Sequence, residues 1–236
     1  MNILVSGADR GLGYGVTKIL LEQGHSVFAG RFLNEWKALD ELQKIHGDRL
    51  HLVELDVSDT QSVIRAKKVI QQTTDCLDMI ISNAAIHLHT DTEPPMQTNY
   101  ENMMHTYNVN SIGSVRLVEN LIELMEESKV KRLCFVSSEA GSITQAKREG
   151  MFSYCMSKAA LNMYVKLIYN RLHPQGYSFR LYHPGWIRSY MKGHLSEEGN
   201  LSIEEAAELA ANYFMNNEVD EAELILYGYD GERFHF

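Results

Sequence analysis

Proline is scarce in this chain, four in 236 residues, and no glycine- or serine-rich tract, internal repeat or low-complexity segment interrupts it. Nothing marks a linker, and a hydrophobic content of 44% is enough to bury one sizeable α/β core, so a single domain over residues 1–236 is expected. Cysteine is equally sparse. Cys76, Cys134 and Cys155 are odd in number and lack metal-ligand spacing, which points to buried reduced thiols rather than a disulfide framework. No uncharged apolar run approaches membrane-spanning length, and the first strand begins at residue 2 with no basic, apolar leader before it; a cytoplasmic protein without membrane contact is expected. Two catalytic signatures are missing as well. Without H-E-x-x-H, and with His87 and His89 in a loop lacking a third ligand, no metal is expected; without G-x-S-x-G, a serine hydrolase is disfavoured.

Positive charge is also short. A net charge of −9 argues against affinity for nucleic acid or an anionic membrane surface. Much of the excess is local, with nine acidic residues and no Lys or Arg between Ser196 and Glu223, and it reads as the solvated face of a helix predicted over Ile203 to Met215.

What is present begins at the N-terminus. Asn2-Ile3-Leu4-Val5 reads as a strand, Ser6-Gly7-Ala8-Asp9-Arg10-Gly11-Leu12-Gly13 as a glycine turn, and the run through Val16, Ile19, Leu20 and Leu21 as a helix. Gly7, Gly11 and Gly13 tolerate positive φ, let backbone approach a pyrophosphate and let the helix pack close on the sheet, while the helix N-terminus offers unpaired N–H groups to phosphates. The strand before the turn and the helix after it supply the context such a motif requires.

Strands and helices then alternate without a break. Strands are predicted at 25–29, 50–55, 77–82, 131–137, 177–182 and 224–227, with helices from Asn34 to about His46, from a cap at Asp59 to about Thr73, from about Asn99 to Glu127 with an interruption near Asn110 to Gly113, and over Met151 to Leu172. The pattern predicts an α/β fold, a doubly wound seven-stranded parallel sheet with helices on both faces and ligands at the carboxyl ends of its strands.

Several side chains carry chemistry in that frame. Tyr154 and Lys158 are i and i+4 on a predicted helix and so share one face. An ammonium beside a phenol favours the phenolate, so a lowered Tyr154 pKa is expected, with the phenol as acid or base at a carbonyl or alcohol oxygen. Ser138 ends the fifth strand, where its hydroxyl can hydrogen-bond the same oxygen. At the end of the second strand, Gly30-Arg31 stands where a carboxylate would pair with the ribose of NAD; Arg31 and Arg10 can instead grip a 2′-phosphate, which favours NADP(H) over NAD(H), the alternative for either arginine being a solvated surface charge. Cys155 points about a quarter-turn from Tyr154 and reads as a core thiol, His183 as structural, and the segment with Trp186, Met191 and His194 as a lid or plain packing.

Taken together, these motifs resemble the compact branch of the short-chain dehydrogenase/reductase family. Its T-G-x-x-x-G-x-G appears as residues 6–13, its N-N-A-G as Ser82-Asn83-Ala84-Ala85, its helix asparagine as Asn110, its S-x-x-G as Ser138-Glu139-Ala140-Gly141, its Y-x-x-x-K as Tyr154 and Lys158, and its P-G segment as Pro184-Gly185-Trp186-Ile187-Arg188-Ser189. The match runs from residue 2 to about residue 191. Two departures stand out: Ser138 and Tyr154 are sixteen residues apart, implying a longer loop through Gln145 to Gly150, and Ala85 replaces a glycine.

The resemblance implies a Rossmann-type oxidoreductase that interconverts carbonyl and alcohol by hydride transfer. It implies Ser138, Tyr154, Lys158 and Asn110 as the catalytic set, with Lys158 also holding the nicotinamide ribose and Asn110 anchoring a water in a proton path. Cofactor contacts fall at Gly7, Arg10, Gly11, Leu12, Gly13, Arg31, Asp56, Val57, Asn83, Ala84, Tyr154, Lys158, Pro184, Gly185, Ile187 and Ser189, with a helix cap as the other reading of Asp56. The implied partner is a small carbonyl or alcohol substrate, and the helices over 99–127 and 151–172 resemble those that pair subunits into homodimers or homotetramers. The alternative from another class is a non-catalytic dinucleotide-sensing or interaction module on the same fold.

Overall fold

The computed structural model describes residues 1–88, 98–191 and 195–236. The N-terminal run forms β1 (Asn2–Val5), whose Ile3, Leu4 and Val5 are all fully buried because a strand covered by helices on both faces is apolar at successive positions. It leads into α1 (Gly11–Glu22), β2 (Ser26–Arg31), α2 (Ala38–His46), β3 (Leu50–Glu54), α3 (Thr60–Gln71) and β4 (Met79–Ser82). α4 (Tyr100–Tyr107), α5 (Gly113–Leu121), β5 (Arg132–Val136), α6 (Phe152–Leu172), β6 (Ser178–His183), α7 (Ile203–Met215), β7 (Leu226–Gly228) and β8 (Arg233–Phe234) complete the order.

The sheet order is β3-β2-β1-β4-β5-β6-β7-β8. Its first seven strands are parallel, as the pattern predicts, and a two-residue eighth strand folds back antiparallel on β7 through the pairs Leu226↔Phe234 and Tyr227↔Arg233. β8 is too short to carry periodicity and forms only because the turn at Gly231, with φ +85°, returns the chain to β7. Between β1 and β4 the chain reverses its direction of travel across the sheet, which opens a crevice at the carboxyl ends of those two strands.

Two apolar layers close the sheet. Val16, Leu20 and Leu21 of α1, Leu39 and Leu42 of α2 and Phe214 of α7 cover one face, and Val63 and Ile70 of α3, Leu117 and Leu121 of α5 and Leu161 and Val165 of α6 cover the other. α7 lies close on α1: a Cβ on Gly15 would stand 2.6 Å from the Ala207 Cβ. The helix buries Ala206, Ala207, Ala210, Ala211 and Phe214 and leaves Glu204, Glu205 and Glu208 in solvent, so its acidic residues form the expected solvated face.

Three expectations need correction. α2 begins at Ala38 rather than after Asn34, since its buried positions, Leu39 and Leu42, start only there and the Phe32 N–H is held by the Asp9 carboxylate at 3.2 Å. The helix expected over 99–127 is α4, a π-turn at Asn108–Ile112, α5 and a 3₁₀ turn at Ile122–Met125, with the break where it was predicted. Of the three free cysteines only Cys134 is buried; Cys76 and Cys155 are half-exposed. Among the described residues no helix is long and apolar enough to cross a membrane.

Candidate active site

The glycine turn between β1 and α1 is shaped by what it excludes. Gly7 adopts φ +63°, and a Cβ there would come within 2.9 Å of the Ala84 Cα; one on Gly13 would meet the Gly7 carbonyl oxygen at 2.2 Å and Asn83 Nδ2 at 2.5 Å. Gly11, at φ +57°, differs: the nearest atom to a Cβ would be the Ser189 Cβ at 4.0 Å, so this face opens toward the segment 184–189. The first turn of α1 carries no side-chain cap, which leaves its N–H groups to a ligand. A dinucleotide pyrophosphate fits this cradle.

The flanking residues divide into supports and walls. Asn83 holds the turn, donating from Nδ2 to the carbonyl oxygens of Ser6 at 2.9 Å and Gly7 at 3.1 Å. Ser6 Oγ accepts from the backbone N–H groups of Asn83 and Ala84 at 3.0 and 3.1 Å. The Asp56 carboxylate accepts from the N–H and hydroxyl of Ser58, while Asp59 is the cap of α3, so Asp56 is not that helix's cap. Val57 packs on Gly113 at the start of α5. Leu12 is buried, Gly185 has φ +81° beside Tyr229 and Leu201 after Pro184, and Ile187 bridges Leu201. Arg31 pairs with Asp40 at 2.9 Å, and the Arg10 guanidinium lies over Trp36 at 5.3 Å from the ring centroid. Trp36 meets Tyr190 edge-on at 4.6 Å. Of the lid residues, Trp186 and Met191 are exposed and His194 lies outside the described residues. His89 lies outside them too, and no group of three metal-ligating side chains occurs among those described.

Across the crevice, β5 and α6 bring Ser138, Tyr154 and Lys158 together. Lys158 is buried and its Nζ donates to the Val136 carbonyl at 3.0 Å, 5.8 Å from the Tyr154 ring centroid. Asn110 accepts from the Ile86 N–H at 2.8 Å and donates to the Ile86 carbonyl at 2.9 Å and to Ser157 Oγ at 3.0 Å. Ser157 Oγ in turn donates to the Tyr154 carbonyl at 2.7 Å. The π-turn thus lets one asparagine tie the chain after β4 to the turn of α6 that carries Tyr154 and Lys158, with both Nδ2 hydrogens engaged by protein groups.

The electrostatics reverse one expectation. Burial pushes the Tyr154 phenol up to about 12, the hydrogen bond with Ser138 and the Arg148 charge lowering it and the Glu139 charge raising it further. Lys158 does not bring the phenol down; its own pKa is lowered to about 8 by burial. Lys158 is buried and Tyr154 partly so, and the loss of water around each group is the leading cause of its shift. Tyr154 therefore keeps its proton at neutral pH, and the site is set to donate one.

Three neighbours escaped the motif reading. Ser138 Oγ accepts from the Ala140 N–H at 3.1 Å and donates to Glu139 Oε2 at 2.8 Å. Arg148, from the long loop after Ser138, pairs with the other carboxylate oxygen of Glu139 at 2.5 Å. The His87 ring stands 5.0 Å from that of Tyr154. Burial raises Glu139, but its hydrogen bonds with Arg148 and Ser138 prevail and hold it below the usual carboxylate range. Glu139 was legible only as an x of S-x-x-G, and Arg148 only as part of a longer loop.

Known proteins share this fold. An uncharacterized oxidoreductase of Schizosaccharomyces pombe is 28% identical over 190 residues, 80% of this chain and 74% of that protein. The carbonyl reductase Sniffer of D. melanogaster superposes with a TM-score of 0.87 at 23% identity, over 100% of this chain and 99% of its own. The NADPH-bound carbonyl reductase from chicken fatty liver does so with 0.83 at 24% identity, over 100% and 98%. The family model described as short chain dehydrogenase matches residues 1–200. With its glycine turn, its Ser-Tyr-Lys cluster and that match over most of its length, the chain belongs to the short-chain dehydrogenase/reductase family of NAD(P)-dependent oxidoreductases.

Proposed function

We propose that this oxidoreductase is an NADPH-dependent carbonyl reductase acting on ketones, aldehydes or quinone-like carbonyls. The observation that carries the reading is the protonated Tyr154 phenol, partly buried beside Ser138 and the buried amine of Lys158, across the crevice from the glycine turn. Gly7, Gly11, Leu12, Gly13 and the N-terminus of α1 hold the pyrophosphate, supported by Asn83 and Ala84; Asp56 and Val57 border the adenine, and Pro184, Gly185, Ile187 and Ser189 wall the nicotinamide side with Lys158. A reduced nicotinamide, when bound, supplies the hydride for the carbonyl carbon. Tyr154 gives its proton to the carbonyl oxygen, Ser138 orients that oxygen, Lys158 balances the charge left on the phenolate, and Asn110 positions the Tyr154 turn through Ser157.

Arg10 and Arg31 at the carboxyl ends of β1 and β2 support NADP(H) over NAD(H), the Asp9 carboxylate at that end being engaged by the Phe32 N–H. The NADPH bound to the carbonyl reductase from chicken fatty liver supports it too. The test is NADPH consumption against a panel of ketones, aldehydes and dicarbonyls. Tyr154→Phe is expected to lower turnover by about 100-fold or more, as removal of a general acid does. Unchanged turnover in that variant refutes the assigned acid, and tight NADPH binding with no turnover on any carbonyl favours a sensing module.

A further inference from the structure

A hydroxyl has one hydrogen, and Ser138 gives its own to Glu139. To hydrogen-bond a substrate carbonyl, Ser138 must turn that hydrogen away, leaving Glu139 Oε2 short of a donor within a partly buried site. Arg148 stays on the opposite carboxylate oxygen, so the pair is neutral overall and offers one oxygen lone pair rather than a seat for a cation. Ser138 and Glu139 thus set two oxygens side by side, the first to serve a carbonyl and the second needing a neutral donor beside it. Ser138 Oγ and Glu139 Oε2 stand 2.8 Å apart, about the spacing of two oxygens on adjacent carbons. Side-chain exposures of 26% for Glu139 and 44% for Arg148 leave the pair reachable from solvent.

We propose that Glu139, held by Arg148, is a specificity-determining residue that seats a hydroxyl on the carbon next to the reacting carbonyl, making α-hydroxy ketones the preferred substrate class. The ketol hydroxyl donates to Glu139 Oε2 in place of Ser138, and the hydrogen of Ser138 passes to the carbonyl oxygen, so every polar group keeps a partner. A simple ketone leaves Oε2 without that donor, and a 1,2-diketone sets a lone pair against it. The proposal rests on the carbonyl-reductase reading of the same site.

The test compares acetoin, butan-2-one and butane-2,3-dione with NADPH in the wild-type protein and in Glu139→Leu. The expected result is a roughly 10- to 100-fold higher kcat/KM for acetoin than for butan-2-one, a ratio that collapses toward one in the variant. A ratio near one in the wild type, or one that survives in Glu139→Leu, overturns the proposal. Should Glu139→Leu fail to fold, the near-isosteric Glu139→Gln replaces it and is expected to shrink the ratio. Binding to the Tyr154→Phe protein with NADPH, read by quenching of nicotinamide fluorescence, separates this proposal from the broader one: tighter binding of acetoin than of butan-2-one supports the seat even if no carbonyl is reduced, and equal binding overturns it.

Discussion

The two sides of the crevice are built on different principles. The cradle after β1 is made of backbone and missing side chains: its shape depends on Cβ atoms absent at Gly7 and Gly13, and its polar contacts are short-range ties among Ser6, Asn83 and Ala84. The side formed by β5 and α6 is made of side chains, namely a buried lysine, a partly buried phenol and a hydroxyl held between a carboxylate and a peptide N–H. Steric constraint shapes the first and desolvated charge the second. The cradle should therefore fail to size and be indifferent to pH, while the reacting side should tolerate size and answer to pH.

Gly13→Ala should have the largest effect. Its methyl would overlap the Gly7 carbonyl and the Asn83 amide, both backed by β1 and β4, so the turn must shift. A loss on the order of 3 kcal/mol in unfolding free energy is expected, together with loss of NADPH binding at every pH, measured by denaturant titration and cofactor fluorescence. An unaffected Gly13→Ala protein would mean that the cradle yields and that sterics do not shape it.

Lys158→Met tests the other side. The folded-state pKa of Lys158 is about 8, against an ordinary value of 10.5, so between those values the unfolded chain holds a proton that the folded protein has released. Folding stability should rise with pH across this window and do so only with the lysine present. Wild type is expected to gain about 3 kcal/mol over Lys158→Met between pH 7.5 and 10.5, the tyrosines common to both proteins cancelling in the difference. A parallel pair of stability curves would break the contrast between the two sides.

Arg31→Gln should be the mildest change to the fold. Its pair with Asp40 is partly exposed, 21% and 34%, and is expected to contribute less than about 1 kcal/mol. NADPH affinity should fall while NADH affinity holds, measured side by side by cofactor fluorescence; equal losses for both would show that Arg31 acts on the cradle's shape and not on a phosphate.

The glycine turn, the alternating elements and the Tyr154-Lys158 pair were legible because each depends on neighbours within about one helical turn or one strand-turn-helix unit. So was the break near Asn110, where good helix positions give way to Asn108-Val109-Asn110. β8 was not legible, because two residues carry no period and their pairing partner is β7. Nor was the upward direction of the Tyr154 pKa: spacing on a helix places two side chains on one face, but the water removed from around them depends on β5, the chain after β4 and the loop of Arg148.

The sequence by itself determined the doubly wound sheet, the cradle and the identity of the candidate hydroxyls, since these follow from local periodicity, glycine sterics and residue chemistry. Tertiary structure alone decided that Tyr154 stays protonated, that Asn110 holds the Tyr154 turn through Ser157, and that Glu139 and Arg148 close on Ser138. Desolvation and hydrogen-bond partnership depend on groups far apart along the chain, and only the packed fold brings those groups within reach of one another.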